Sequence, residues 1–252
     1  MADDKSGTEQ KFSLKGKSAI VAGGGGGICG AIARTFLQAG ARVACLDLDA
    51  KKIKVNGALA ISCDVSSESD TRAAVERVMK EFGSLHVLVN GAAMTDPTAT
   101  VLEIDLAAWN RVFAVNVAGA YLMSRWAIPH MVAAGGGSII HIASQLGTVG
   151  SAGRVAYCAT KGALITMAKA MAADHSAQNI RVNTLSPGAV ETDRMLRFGS
   201  IEKAREILGP KHLLNRLAQP EEIAAAALFL ASDASSFMTG ADLRVDGGFN
   251  AV

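Results

Sequence analysis

Short runs rich in valine, isoleucine, leucine and alanine alternate along this chain with longer, alanine-rich stretches of helical pattern. The short runs predict strands at 17–22, 42–47, 58–64, 85–90, 138–143, 181–186 and 243–245. The longer stretches predict helices at 27–38, where Gly40 stops the first, and at 68–82, 106–133 and 153–175, with a helix-rich segment over 193–232. Glycines at 135–137 break the chain between the third helix and the next strand. Strand and helix repeated in this order give an α/β fold, a doubly wound parallel β-sheet flanked by helices with right-handed crossovers. Such sheets bind ligands beyond the carboxyl ends of their strands. Asp47, Asp64, Asn90, Ser144 and Pro187 all fall at predicted strand carboxyl ends, which points to one site. No repeat, linker or composition break divides the chain. It reads as a mobile polar tail over 1–15 and a single domain over 16–252.

Composition narrows the function. Of the 252 residues 50% are hydrophobic and only 5% aromatic, so the core is built from small aliphatic side chains, as suits a sheet buried on both faces. A formal net charge of +2 gives no reason to expect nucleic acid or an anionic membrane surface. No apolar stretch is long enough to cross a bilayer, and the polar N-terminus is no signal peptide. Cys29, Cys45, Cys63 and Cys158 lack ligand or disulfide spacing, so neither zinc nor a disulfide framework is expected. The five histidines are not spaced for a metal either. Reduced thiols suit a cytoplasmic protein.

Three features carry chemistry. Gly23 to Gly27 lie between a strand and a helix, where glycine lets the backbone approach a pyrophosphate and the helix start favours negative charge. Asp47 closes the second strand, where a carboxylate accepts hydrogen bonds from adenosine ribose hydroxyls and repels a 2′-phosphate; no arginine or lysine follows it immediately. Tyr157 and Lys161 stand one helical turn apart on one face, so the ammonium can stabilise the phenolate and tune it for proton exchange with an alcohol or carbonyl. Either residue of such a pair can also belong to an ordinary solvated helix face. Here Ser144 and Asn116 stand upstream of it in order.

That ordered set resembles the short-chain dehydrogenase/reductase family in its Tyr-x-x-x-Lys branch. The resemblance runs from Gly23 through Asp64-Val65, Asn90, Asn116, Ser144, Tyr157/Lys161 and Pro187-Gly188 to 245–248. It implies a Rossmann-like fold and an NAD(P)-dependent oxidoreductase, NAD-linked in view of Asp47, that interconverts a secondary alcohol and a ketone. It further implies that Tyr157 is the general acid/base, that Ser144 holds the substrate oxygen, and that Lys161 binds the nicotinamide ribose. Asn116 would interrupt the long helix and hold a water in the proton relay. Gly23, Gly26, Gly27, Ile28, Asp47, Asp64, Val65, Asn90, Pro187, Gly188, Val190 and Thr192 would contact the cofactor together with Tyr157 and Lys161. The family also implies a homotetramer paired through the alanine-rich Tyr157 helix, and a substrate lid over 193–219.

The chain departs from the family pattern in two of its motifs. Ala22 replaces a threonine, Cys29 replaces the third glycine of Thr-Gly-x-x-x-Gly-Ile-Gly, and Gly91 replaces the second asparagine of Asn-Asn-Ala-Gly. A second register, Gly25-x-Gly27-x-x-Gly30, satisfies the general dinucleotide fingerprint in full. Cys29 is expected to be buried against the first strand; a redox role at the helix start is the alternative. Gln145 and Arg154 are expected at the pocket mouth. The lid is basic, with Arg194, Arg197, Lys203, Arg205, Lys211 and Arg216, and a solvated amphipathic helix accounts for that charge as readily as an anionic substrate does. Enoyl reduction is disfavoured, because family members performing it space tyrosine and lysine more widely. A 3-oxoacyl-type ketoreductase and a non-catalytic nucleotide sensor are the other readings.

Overall fold

The computed structural model describes residue Gly7 and residues 10–252. Seven strands form one sheet: β1 Ser18–Ala22, β2 Arg42–Asp47, β3 Leu59–Ser62, β4 Val87–Asn90, β5 Gly137–Ile142, β6 Ile180–Pro187 and β7 Asp242–Val245. Every adjacent pair is parallel, in the order β3-β2-β1-β4-β5-β6-β7. The helices are α1 Gly27–Gln38, α2 Glu68–Phe82, α3 Leu106–Phe113, α4 Gly119–Ala133, α5 Val155–His175, α6 Ile201–Leu208 and α7 Pro220–Ala231. This is the doubly wound fold the sequence predicts, with strand ends within a few residues of expectation.

The strand order reverses between β1 and β4, and the register there leaves the two carboxyl ends level. Ala22 pairs with Leu46 on one side and Asn90 on the other. Chains leaving β1 and β4 turn to opposite faces at that point, which opens the crevice where ligands bind. All residues of β1 and β4 are buried. One face of the sheet packs Ile32 and Phe36 of α1 and Ile223 and Leu230 of α7. The other packs Val75 and Val78 of α2 with Met123, Ala127 and Met131 of α4.

Two departures from the predicted elements bear on the site. The helix expected over 106–133 is two helices joined by a π-turn, Ala114–Ala118, and Asn116 occupies it, interrupting the helix as the resemblance implies. The tail expected over 1–15 lies partly outside the described residues. Within the described part, Leu14 belongs to the core, 1% exposed, and its amide donates to the Ala39 carbonyl at 2.8 Å, so the folded unit starts earlier than residue 16. On α5, Ala168 and Ala172 pack inward against the sheet, while Ala159, Ala170 and Ala173 face outward.

Cys29 is buried in the α1 face of the core, as expected. Burial first, then the neighbouring Cys45 and Asp47 against the pull of Lys161, pushes its thiol up to about 12, which removes the thiolate needed for a redox role. Its Sγ occupies the space that a side chain at Gly91 would need. By contrast a Cβ at Gly30 would make only ordinary contacts, at 3.5 Å, so the register that needs glycine there has no packing basis. Gly91→Ala should therefore overpack this junction and cost about 1–3 kcal/mol. Adding Cys29→Gly should recover only part of the loss in urea denaturation, because the Ala22 carbonyl and Ile142 also stand close, at 3.1 and 3.3 Å.

Candidate active site

The crevice beyond the strand ends is a cleft of about 1250 Å³. Its nucleotide end is built on the glycine turn. Gly23 turns the chain at φ +83, and a Cβ there would meet the Ala92 amide nitrogen at 2.8 Å. The Gly25 amide donates to Asp47 Oδ2 at 3.0 Å. A Cβ on Gly27 would lie 2.6 Å from Thr192 Cγ2. Side chains at these glycines would fill the cradle. Helices α2, α3 and α6 have their first amides bound by Ser67, Asp105 and Ser200. α1 instead begins at Gly26 with no side-chain cap, which leaves its positive end facing the cleft. A pyrophosphate fits that arrangement. Ile28, Asp64, Val65, Pro187, Gly188 and Val190 also line the cleft. Asp64 is braced by Ser66, whose amide and hydroxyl donate to Oδ1 at 2.9 and 2.7 Å.

Asn90 is placed differently from the sequence reading. It does not line the cleft. Its carboxamide is buried between β4 and α4, donating towards His141 Nδ1 at 3.1 Å, Ser124 Oγ at 3.2 Å and the Ala120 carbonyl at 3.4 Å. A residue at a strand end can point to either face, and this one points inward. Burial, then Lys161, holds His141 down at about 4, so it stays neutral. Lys52, which follows Asp47 by a few residues, returns to pack its Cβ against Gly25, 3.1 Å from a Cβ built there.

At the other end, Ser144 Oγ accepts from the Leu146 amide at 3.1 Å. That bond makes it a strand-end cap and leaves its hydrogen free on the side of the Tyr157 phenol, whose pKa it helps to lower. Lys161 is 2% exposed, and its Nζ donates to the Ile142 carbonyl at 2.6 Å while lying 5.5 Å from the centre of the Tyr157 ring. Burial works to raise the phenol's pKa, but Lys161, Arg194, the Ser144 hydrogen bond and Arg197 together bring it below the ordinary tyrosine value. Burial lowers the Lys161 pKa, the Tyr157 charge opposes that, and Arg194 adds to it.

Asn116 does not reach the cleft wall either. Its side chain accepts from the Met94 amide at 2.7 Å and donates to the Met94 carbonyl at 3.0 Å and to Thr160 Oγ1 at 3.1 Å. The same loop continues to Asp96, a residue absent from the sequence reading. Asp96 is 4% exposed; its Oδ2 accepts from the Tyr157 amide at 3.1 Å, and its Oδ1 pairs with Arg154 at 3.4 Å. Ala99 then donates to the Gly153 carbonyl at 3.2 Å. The loop over 94–99 thus clamps the π-turn to the start of α5. Partners of Asp96 lie 58 and 61 residues away, so no local pattern marks it. Gln145 and Arg154 line the cleft as expected.

Residues 23–250 match the profile of a family described as enoyl-(acyl carrier protein) reductase. The cis-4-hydroxycyclohexanecarboxylate dehydrogenase of Sinomonas cyclohexanicum is 39% identical over 242 residues, covering 93% of this chain and 96% of that protein. A short-chain type dehydrogenase/reductase from Mycobacterium marinum superimposes with a TM-score of 0.90 at 32% identity, over 96% of this chain and 99% of that one. The 3-ketoacyl-(acyl-carrier-protein) reductase from Brucella melitensis, solved with NADH, gives 0.88 at 33% identity, over 94% and 99%.

Asp96→Ala should remove the cap on α5 and cost about 1–2 kcal/mol of stability. It should also lower kcat and shift the Tyr157 limb of the pH–rate profile, with dinucleotide affinity unchanged in titration, because the helix turn that carries Tyr157 loses its anchor while the glycine turn is untouched.

Proposed function

The chain belongs to the short-chain dehydrogenase/reductase family and is an NAD(P)-dependent oxidoreductase of alcohols, and from that premise we propose how its residues divide the work. The carrying observation is the Tyr157 phenol, lowered in pKa beside Lys161 and Ser144 in the wall of the cleft that the glycine turn also lines. When bound, the nicotinamide accepts or supplies the hydride. Tyr157 takes the hydroxyl proton of a secondary alcohol in one direction and returns it to the carbonyl oxygen in the other. Ser144, its lone pair turned to the Leu146 amide, donates its hydrogen to the same oxygen and steadies charge there. Lys161 has one N–H fixed on Ile142 and two left for a ribose hydroxyl. The Asn116 carboxamide is committed to Met94 and Thr160, which favours a positioning role over the water-holding one that the resemblance implies.

NAD is the proposed cofactor. Asp47 holds Gly25 with one oxygen and keeps the other for the adenosine ribose, where a 2′-phosphate would meet its charge. Lys52, beside the same glycine, is the cation that would work the other way. Asp64, Val65, Pro187, Gly188, Val190 and Thr192 complete the proposed cofactor wall, and 193–219 the lid. A homotetramer paired through the outward alanines of α5, and a cytoplasmic location suited to four free thiols, belong to the same reading. No helix among the described residues is long and apolar enough to cross a membrane.

Tyr157→Phe should abolish turnover and leave NAD affinity near wild type in a fluorescence titration; a variant with wild-type kcat would sink the acid/base assignment. Alcohol oxidation needs the phenolate, so its rate should rise with pH through an apparent pKa below the ~10 of free tyrosine and level off above it. The ketone reduction should fall over the same interval. Ratios of kcat/KM should favour NAD over NADP at least tenfold, and Asp47→Ala should narrow the ratio, whereas a wild type that favours NADP refutes the cofactor choice.

A further inference from the structure

The four arginines of the segment over 193–219 fall into two groups that its sequence does not distinguish. Arg205 is bound by Glu191 through both nitrogens, at 2.6 and 2.7 Å, and Arg216 is bound by Glu222 in the same way, at 2.7 Å. Arg194 and Arg197 form no ion pair with any described carboxylate. They line the cleft instead. The Arg194 guanidinium carbon lies 5.7 Å from the centre of the Tyr157 ring, and Arg197 is stacked at 5.0 Å over Phe198. Arg154 lines the same stretch of wall, with one nitrogen tied to Asp96. Burial, then the charges of Arg154 and Arg194, lower the Arg197 pKa, while the Tyr157 phenol works against them. Asp193 is the acid on this wall and pairs with neither arginine. Unpaired like charges at a cleft mouth repel one another and are relieved by a bound anion. A guanidinium fork matches the geometry of a planar or tetrahedral oxyanion.

We propose that the alcohol or ketone substrate carries an oxyanion head group, a carboxylate or sulfonate, held by Arg194 and Arg197 with Arg154 behind them. The assignment rests on the dehydrogenase reading of the Tyr157 site and names the substrate class for it. The reacting carbon then lies at the phenol and the head group one short spacer away. In the catalytic direction the arginines orient the substrate; they exchange no proton.

The test is binding to the NAD-loaded protein of inert probes that differ in charge alone: benzoate against benzamide, and benzenesulfonate against benzenesulfonamide, by calorimetric titration at neutral pH. At least one anion should bind tenfold or more tightly than its neutral partner, and the two pairs tell carboxylate from sulfonate. Arg194→Met and Arg197→Met should each erase most of that preference with NAD affinity unchanged, and Lys203→Met, a loss of the same charge on the outer surface, should leave it intact. Equal retention of anion and neutral probe, including retention of neither, overturns the proposal. So does a preference that survives both arginine substitutions, or one that Lys203→Met removes equally. Anion preference without turnover of any alcohol or ketone would leave the anion site standing and sink the dehydrogenase reading, while turnover of neutral alcohols without the preference would do the reverse.

Discussion

A buried ammonium with no carboxylate beside it constrains the whole catalytic end. Removing a lysine charge from water is costly unless it is hydrogen-bonded, and the structure meets that cost with a backbone carbonyl, Ile142, at the last position of β5. The bond fixes α5 against the sheet edge at one rotation. Tyr157, four residues before Lys161, is thereby carried over the cleft, and the Ser144 hydroxyl, two residues beyond Ile142, arrives beside it. No described carboxylate compensates the cation, so its field acts on the phenol. An aspartate in contact with Lys161 would stabilise the fold more and the phenolate less.

The remaining parts hold that geometry from outside. The 94–99 loop joins three elements distant in sequence, through Asn116 in the π-turn, Asp96 under the first turn of α5 and Ala99 at Gly153. On the opposite wall, His212 donates from Nδ1 to the Leu208 carbonyl at 2.8 Å and accepts from the Ala189 amide at Nε2, at 3.2 Å, which ties the 193–219 segment to the loop after β6. The segment over 193–219 carries one small cluster of its own, Met195, Ala204 and Leu217, with Ala189 of the loop packed against it, so the stretch bearing the arginines packs apart from the main core.

Features governed by local periodicity were legible in the sequence. The strand and helix series, the strand-end positions of Asp47 and Ser144, and the turn spacing of Tyr157 and Lys161 all follow from side-chain period and glycine placement. Features set by the third dimension were not. Asn90 ends a strand as Asp47 does, yet points inward, because the space behind β4 is filled by Ser124 and His141. Asp96 lies in a loop with no pattern of its own. Arg197 and Arg205 look alike in one dimension, and only the placement of Glu191 separates a paired surface charge from a free one facing the cleft.

Cys29 and Gly91 lie far apart in the chain and depart separately from the family pattern, yet they occupy a single volume. The order in which a lineage could acquire them is therefore constrained. Glycine at 91 first opens a void that cysteine at 29 then fills, and each intermediate folds without a clash. The opposite order passes through a sequence in which two side chains claim the same space. Grafting the start of α1 with its Cys29 onto a relative would carry the clash with it unless Gly91 travelled too.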